Sequence, residues 1–289
     1  MGRTFREMER TPREEGGSWK DRIPWNKYFL AGLVMTGLAL ALGILGLFWT
    51  PYVPSAMDKA ARGIGPTPAH PFGCDSMGRD VLSRTLEGAG STLAIALAVL
   101  ALGAVCGLAV GALCGYYGGP ADALVMRLCD AVAAFPSVLL ALVVLALTGP
   151  GKYNVIGALG VLFIPSFARL VRGEFLQYRD RDFVRSARLM GVGDLRIIFV
   201  HILPNTWPTL LSGLTIGFNN AVLAEASMSY LGIGVSPTEP SLGYMLKDAQ
   251  GSLFTLPWCT AFPAAVVILL ILGVSLVGEG VRERMGVAS

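Results

Sequence analysis

Charged side chains are scarce in this chain of 289 residues. Asp, Glu, Lys and Arg make up 15% of it, whereas 53% is hydrophobic and the mean hydropathy is +0.59. Because soluble domains carry about 25% charged residues, the composition predicts a membrane protein. The net charge is only +3 and the basic residues lie in loops, which argues against a nucleic-acid partner.

Several kinds of chemistry lack the residues that they need. Only two histidines are present, His70 and His201, and no Gly-x-Ser-x-Gly turn accompanies them, which argues against a Ser-His-Asp hydrolase. Gly151-Lys152 is not followed by Ser or Thr, so a phosphate-binding loop is missing. The five cysteines show no CxxC spacing, and Cys74, in a polar loop, has no obvious partner. We therefore expect no catalysis, no metal site and no cofactor bound by this chain.

Long apolar runs fill most of the sequence instead. Six of them approach the roughly 20 residues that a helix needs to cross a bilayer. Each is predicted to be helical, because lipid offers the backbone no hydrogen-bonding partners. The predicted fold class is an all-α membrane protein with six transmembrane helices. These helices are placed at about 28–50, 91–115, 123–148, 154–171, 207–232 and 259–279.

Lys and Arg are distributed unevenly between the segments that join these runs. If the N-terminus is inside, the inner segments hold fifteen of them and the outer segments six. The positive-inside rule then predicts that both termini and the loop over 172–205 are cytoplasmic. The predicted organisation is a cytoplasmic tail over 1–27, a first transmembrane helix over 28–50, an extracytoplasmic segment over 51–90, a core membrane domain over 91–282 and a C-terminal tail over 283–289.

The polar stretch over 172–205 has the periodicity of two short helices. Phe183, Ala187 and Met190 share one face of the first helix, and Gly191-Val192-Gly193 breaks it. Asp194 is suited to N-cap the second helix. Pro204 ends that helix, and its predicted apolar face is Leu195, Ile198, Phe199 and Ile202. The stretch is predicted to be a helix-turn-helix at the membrane surface, with apolar residues left for a partner.

This stretch resembles the cytoplasmic coupling loop of ATP-binding-cassette importer permeases. That loop has an Ala, a Gly four residues later and a Leu-Pro about twelve residues beyond, which here are Ala187, Gly191, Leu203 and Pro204. Arg185 stands where the general signature has Glu, as in the dipeptide, oligopeptide and nickel subgroup. The resemblance implies that the ATPase-coupling residues are Arg185, Ala187, Gly191, Asp194, His201, Leu203 and Pro204.

Three further motifs resemble the same permeases. Residues 72–84 are similar to their Gly-Thr-Asp, Gly-Arg-Asp and Ser-Arg pattern, with Cys74 where Thr is usual. Residues 225–234 are close to Glu-Ala-Ser-Leu-Ser-Phe-Leu-Gly-Leu-Gly, and residues 278–283 are similar to the terminal Gly-Asp-Gly-Leu-Arg-Asp. The resemblance runs from about Pro71 to Arg282. It implies a type I importer permease fold in the inner membrane of a prokaryote.

One group of charged residues in these motifs has two interpretations. Asp75, Arg79, Asp80 and Arg84 can pair with one another to stabilise the loop over 51–90. Alternatively, they contact a substrate-delivery protein. Both interpretations remain open at the level of sequence.

Polar residues in the fifth apolar run and glycines in the second have specific predicted roles. Glu225 is costly inside a membrane and by default faces the bundle interior or a wet cavity. With Asn219, Asn220 and Ser229 it either lines the translocation pathway or makes hydrogen bonds between helices. In the second run, glycines at 103, 107, 111 and 115 fall on one helix face. This spacing predicts close packing against another helix.

The resemblance implies that the chain is one permease subunit of an importer of di- or oligopeptides. Its partners would be a homologous second permease, two cytoplasmic ATP-binding subunits that carry ATP and Mg, an extracytoplasmic solute-binding protein and the lipid membrane. A nickel-chelate or other small-solute importer is the alternative within the family. From another class, a stand-alone channel or secondary transporter would show an internal repeat and several mid-span ionisable groups. The sequence has one clear candidate of that kind, Glu225.

Overall fold

The computed structural model describes residues 27–236 and 238–285, so most of the predicted N-terminal tail and residues 286–289 lie outside the described part. Within that part the chain is mostly helical and has no β-strand, and its longest connection, over 49–80, contains only a 3-10 turn at Lys59–Ala61. The helices are α1 (Lys27–Phe48), α2 (Val81–Tyr117), α3 (Gly119–Ala133), α4 (Ser137–Thr148), α5 (Lys152–Tyr178), α6 (Asp182–Leu189), α7 (Asp194–Asn205), α8 (Trp207–Leu231), α9 (Leu242–Ala249) and α10 (Trp258–Arg284).

The helices account for the six predicted spans. Four of them, α1, α2, α5 and α10, are each long and apolar enough to cross a membrane. The predicted span over 123–148 corresponds to the bent pair of α3 and α4, at 84°. The predicted span over 207–232 corresponds to α8, which is bent by 71° from α7 and meets the length and hydropathy criteria for a span only together with it. The first bend lies at Pro136, because proline has no N–H to continue the helix ladder. The described residues thus form the all-α membrane fold that the sequence predicts.

The start of α2 differs from the prediction. Residues 81–90 were assigned to the outer segment, but they are helical. Asp80 N-caps the helix, since its Oδ2 accepts a hydrogen bond of 2.7 Å from the Ser83 backbone N–H. The polar residues Arg84 and Glu87 lower the hydropathy of the first turns, and for that reason the apolar run begins later than the helix.

The predicted glycine face of α2 packs against α5. A Cβ atom on Gly103 would lie 2.6 Å from Cβ of Phe163, and one on Gly115 would lie 2.6 Å from Cβ of Phe175. Real Cβ atoms do not approach so closely, so the two backbones meet only because these positions are glycine. The packing prediction is confirmed. It makes α2 and α5 one closely joined pair.

The two ends of α2 contact different parts of the molecule. Its 37 residues span about 55 Å at the rise of an α-helix. The loop before Val81 packs near α9 and the start of α10, whereas α6 and α7 pack against the end near Tyr116. The predicted extracytoplasmic segment and the predicted coupling loop therefore lie at opposite ends of the molecule.

Candidate coupling surface and translocation cavity

The coupling segment, α6 with α7, rests on a buried apolar cluster. On α6, Val184 and Ala187 are buried, whereas Phe183 is 40% exposed and Met190 is 75% exposed. Of the predicted face, Ala187 packs on the bundle, whereas Phe183 and Met190, which directly follows α6, are left exposed. The short helix contacts the bundle through Val184 and Ala187, which are three residues apart. The apolar residues on either side of them, Phe183 and Met190, face outward. The cluster consists of Ala112, Tyr116, Val171, Phe175, Val184, Ala187, Ile197, Ile198, Ile202 and Leu210.

Helix α7 departs from a regular α-helix after its first turn. Residues Ile197–Ile202 form a π-helical stretch, followed by a 3-10 turn over Leu203–Asn205. The π-helix has i→i+5 hydrogen bonds, so the side-chain faces differ from those that a 3.6-residue period predicts. As a result Ile198 and Ile202 are buried, whereas Leu195 and Phe199 are more than half exposed.

Asp194 does not cap α7, contrary to the prediction. It is the first residue of the helix, and the extended residue before it is Gly193. Its carboxylate instead accepts hydrogen bonds from two tyrosines at the end of α2. Tyr116 Oη donates to Oδ1 at 2.6 Å and Tyr117 Oη donates to Oδ2 at 3.4 Å.

Tyr116 was not identified from the sequence, yet it joins both helices of the coupling segment to α2. Besides its bond to Asp194, its hydroxyl oxygen accepts a hydrogen bond of 3.4 Å from Arg188 Nε on α6. The Arg188 guanidinium lies 5.0 Å from the centre of the Tyr116 ring, within cation–π range. The phenol is thus held between a cation from α6 and a carboxylate from α7.

The turn between α6 and α7 has the geometry that the sequence predicts. Gly191 has φ +77°, a left-handed conformation that favours glycine. Its N–H donates to Arg188 O at 3.0 Å, and Val192 N–H donates to Ala187 O at 3.1 Å, which closes the end of α6. Within the described residues, no neighbouring atom lies within 4 Å of the position of a Cβ on Gly191. The turn is therefore open on its outer side.

The remaining predicted coupling residues lie at the surface or at the exit of α7. Arg185 is exposed on α6. His201 Nδ1 lies 3.3 Å from Arg196 O, and the His201 carbonyl accepts a hydrogen bond of 2.6 Å from Asn205 Nδ2. Leu203 is half-buried against the apolar cluster, and Pro204 is exposed in the 3-10 turn before the 71° bend.

The outer side of the coupling segment is apolar and exposed. Large apolar side chains left exposed on a polar segment between spans favour a protein-binding surface. It agrees with the predicted docking role of this loop. The patch consists of Phe183, Leu189, Met190, Leu195, Phe199 and Val200.

A cavity of about 520 Å³ lies between α4, α5 and α8. Most of its lining is apolar, with polar atoms from a few serines and one asparagine, and none of the described residues that line it is charged. The lining residues are Ser137, Val138, Leu162, Phe163, Ser166, Phe167, Leu170, Gly213, Ile216, Gly217, Asn220, Leu223, Ala224 and Ser227.

Of the four residues predicted to line the pathway, only Asn220 contributes to this cavity. Asn219 faces α10 instead, where its Nδ2 donates to Ser275 Oγ at 2.7 Å. Glu225 and Ser229 are fully buried, and Ser229 Oγ donates to Glu225 Oε1 at 2.8 Å. For these three residues the contacts favour the second interpretation, hydrogen bonds within the helix packing, and a role in the pathway stays a prediction.

Glu225 connects three parts of the bundle. Besides Ser229, its carboxyl group interacts with Thr92 of α2 and with Ser241, the N-cap of α9. Its side chain is completely buried; Ser229 satisfies Oε1, whereas Oε2 has no hydrogen-bond partner among the described residues. Glu225 therefore lies buried between α8, α2 and the start of α9, outside the cavity lining.

The charged residues of the loop before α2 form a buried network that includes one residue absent from the prediction. Arg79 Nε donates to Asp75 Oδ2 at 2.6 Å, and Arg79 Nη2 donates to Asp248 Oδ2 of α9 at 2.9 Å. Arg84 Nη2 also donates to Asp248, at 3.5 Å. Burial opposes the charge on Arg79, but Asp75 and Asp248 outweigh it and raise the pKa of its guanidinium. The loop is thereby joined to α9.

Asp80, the fourth member of the predicted group, has another partner. Its Oδ1 lies 2.9 Å from His70 Nδ1, while its Oδ2 caps α2. Arg79, Asp80 and Arg84 are all more than 90% buried. This geometry agrees with the structural interpretation of the four residues. It leaves little of their surface for a delivery protein.

Comparisons with known proteins agree with this architecture. Residues 107–287 match the family described as "Binding-protein-dependent transport system inner membrane component". The glutathione transport system permease protein GsiD of Escherichia coli O6:K15:H31 is 38% identical over 274 residues, which cover 91% of this chain and 90% of the relative. GsiD of Pectobacterium atrosepticum is 36% identical over 274 residues, with 91% of each chain covered.

A solved structure shares the fold. Inward-facing MetNI, a methionine ABC transporter, contains a chain that superposes with a TM-score of 0.59 at 21% identity, covering 71% of this chain and 97% of that chain. A second crystal form of the same transporter gives a TM-score of 0.58 at 23% identity. The described helices therefore have the fold of a type I importer permease.

Proposed function

Because the chain belongs to the family of binding-protein-dependent transport system inner membrane components, as a permease subunit of an ATP-binding-cassette importer, we propose that it carries short peptides of the glutathione class into the cell. The GsiD relatives, which are named as glutathione permeases, support this substrate class over nearly the whole chain. The size of the cavity, about 520 Å³ in this subunit alone, suits a solute of a few residues.

The observation that carries the transport mechanism is that two helices connect the coupling surface to the cavity. Helix α5 lines the cavity with Phe163 and Phe167 and contributes Phe175 to the cluster under the coupling segment. Helix α8 follows α7 directly and lines the cavity from Gly213 onwards. A displacement of α6 and α7 therefore moves two of the cavity walls.

The ATPase would supply that displacement. In the proposed mechanism a cytoplasmic ATP-binding subunit docks on the exposed apolar patch of the coupling segment, and a second copy docks on a homologous second permease. ATP and Mg are bound by those subunits, and this chain catalyses no reaction. Tyr116, Arg188 and Asp194 hold the two coupling helices on α2, so that the segment moves as one body.

The second permease would complete the translocation pathway. Asn220, Leu223 and Ser227 lie on one face of α8 that is largely exposed in this subunit, except where it borders the cavity. A homologous subunit that presents the same face would enclose the solute between two such walls. A solute-binding protein would deliver the solute at the opposite end from the coupling segment.

The proposal is tested by purifying the tagged chain from its native membrane with its stable partners and reconstituting the complex in liposomes. We expect ATP-dependent accumulation of labelled glutathione or a dipeptide when the matching binding protein is present. Uptake of a nickel chelate in place of peptide would assign the chain to the alternative substrate class. Solute flux by a homo-oligomer without an ATPase would contradict the importer mechanism and favour a channel or secondary transporter.

A further inference from the structure

One group of metal-binding side chains in the described residues is not explained by transport. His70, Cys74 and Asp80 each offer a ligand atom, and these three atoms lie within 4.8 Å of one another. They are located in the loop before α2, at the opposite end of that helix from the coupling segment. From this arrangement we propose that His70, Cys74 and Asp80 bind a zinc ion.

The donor set is that of zinc. Zn²⁺ binds imidazole nitrogen, thiolate sulfur and carboxylate oxygen, usually with four ligands in a tetrahedron. The thiolate disfavours Mg²⁺ and Ca²⁺, which prefer oxygen ligands. Ligand atoms around a tetrahedral zinc lie roughly 3 to 4 Å apart, so the observed spacing requires only a small adjustment of these side chains on binding.

The backbone around the cluster is fixed before any metal binds. Cys74 forms an isolated antiparallel bridge with Asp80. The Cys74 N–H donates to Ile64 O at 2.8 Å, and its carbonyl accepts a hydrogen bond of 3.1 Å from Trp258 Nε1. Two of the three ligands are therefore held across a short hairpin, and their separation does not depend on a flexible loop.

The outer contacts orient the ligands toward a common point. The backbone N–H and the Oγ of Ser83 both donate to Asp80 Oδ2 at 2.7 Å, which leaves Oδ1 directed at His70. Tyr52 stacks on the imidazole, with ring centres 4.7 Å apart. Such contacts, which fix ligand orientation without touching the metal, are typical of protein zinc sites.

The site is closed on the protein side and open toward solvent. Cys74 is fully buried and the Asp80 side chain is 2% exposed, whereas the His70 side chain is 22% exposed. The imidazole edge thus provides an entry route and a position for water as the fourth ligand. A bound ion would stabilise the loop against the start of α2, and transport would still be performed by the cavity and the coupling segment.

The experiment compares metal content and spectra of the purified transporter complex. The wild-type chain is loaded with zinc and, separately, with Co²⁺, whose bond to a thiolate gives a charge-transfer absorption band. The test variant is Cys74→Thr, which places a similarly sized side chain at the position. The control is Cys259→Ala, which removes a neighbouring buried thiol that lies outside the proposed ligand set.

We expect about one zinc per chain in the wild type and in Cys259→Ala, and roughly none in Cys74→Thr. The cobalt charge-transfer band should follow the same pattern. Any metal on the partner subunits is present in every sample and cancels when the variant is subtracted from the wild type. Ser83→Ala should weaken zinc binding by at least about tenfold. X-ray absorption at the zinc edge of the wild type should detect one sulfur ligand, a result that does not require any variant to fold.

Two results would overturn the proposal. One is zinc and cobalt content that is the same in the wild type and in Cys74→Thr. The other is a zinc spectrum without sulfur. In either case the cluster would be a hydrogen-bonded connection between the loop and α2.

Discussion

Tyr116 Oη donates a hydrogen bond of 2.6 Å to Asp194 Oδ1, which links residues 78 positions apart in the chain. One belongs to the last turn of a membrane-spanning helix and the other begins α7. This bond, together with Arg188 on the other side of the phenol, holds the coupling segment on the bundle.

The Tyr116→Phe variant should weaken coupling while leaving the bundle folded. It removes one hydrogen bond to a charged acceptor, which contributes about 1 to 3 kcal/mol, but it keeps the buried ring. In liposomes we expect less solute transported per ATP hydrolysed. Tyr117→Phe is the matched control, because that hydroxyl is 3.4 Å from Asp194 and the side chain is exposed. Equal losses in both variants would contradict a special role for Tyr116.

The Gly191→Asp variant should abolish transport while the chain still inserts and purifies with its usual yield. The control is Gly191→Asn, which has the same shape and is also tolerated in left-handed backbone. Since the space around Gly191 is open, the added charge would act mainly on the docked ATPase. We expect Asn to retain ATPase binding in co-purification and Asp to lose it. Loss of insertion in both variants would show that Gly191 is only structural.

The Gly107→Ala variant should destabilise the bundle. A Cβ there would lie 3.0 Å from the Ala168 backbone nitrogen and the same distance from Ile164 O, so α2 and α5 must separate, at a cost of about 1 to 3 kcal/mol. The control is Gly157→Ala on α5, where no atom lies within 4 Å. Thermal unfolding in detergent should show a lower midpoint for the first variant only.

The Asp248→Asn variant should loosen the predicted extracytoplasmic end of the molecule. It leaves two buried arginines, Arg79 and Arg84, with less compensating charge, and the weakened charged hydrogen bonds should cost about 1.5 to 3 kcal/mol. Limited proteolysis should then cut the loop before α2 faster. Asp180→Asn serves as the control, because it removes a mostly exposed ion pair with Arg179 that contributes about 0 to 1 kcal/mol.

Adjacent asparagines on α8 should respond differently to substitution. Asn220→Leu changes the cavity lining and should alter the KM for uptake with little effect on stability. Asn219→Leu removes the hydrogen bond to Ser275 and should cost about 0.6 kcal/mol with the KM unchanged. Uptake assays and thermal unfolding of the two variants separate these effects. The same change in KM and in stability for both variants would contradict the assignment of Asn220 alone to the pathway.

The parts of the fold that could be predicted from sequence are those encoded by local patterns. Hydropathy located α5, α8 and α10, and the glycine spacing identified the packed face of α2. The turn at Gly191 followed from residue type alone. Each of these features depends on neighbours within a few turns of the same helix, and the sequence reports such neighbours directly.

The parts that could not be predicted depend on contacts between distant segments. Nothing near Arg84 indicates that its partner is Asp248, 164 residues away. The competition of Tyr116 for the Asp194 carboxylate likewise overrides a local N-cap preference. The π-helical stretch of α7 changes which side chains are buried, because tertiary packing of Ile197 and Ile202 favours it over a regular period.

Helix α5 contributes to both the cavity and the apolar cluster under the coupling segment, and the proposed mechanism therefore links its two ends thermodynamically. If nucleotide on the ATPase changes the affinity of the cavity for solute by some factor, solute in the cavity must change the nucleotide affinity by the same factor. In the proposed mechanism the two ligands would never meet, yet each would be the allosteric effector of the other. The strength of that reciprocity is a property of how stiffly Phe163 and Phe175 are joined.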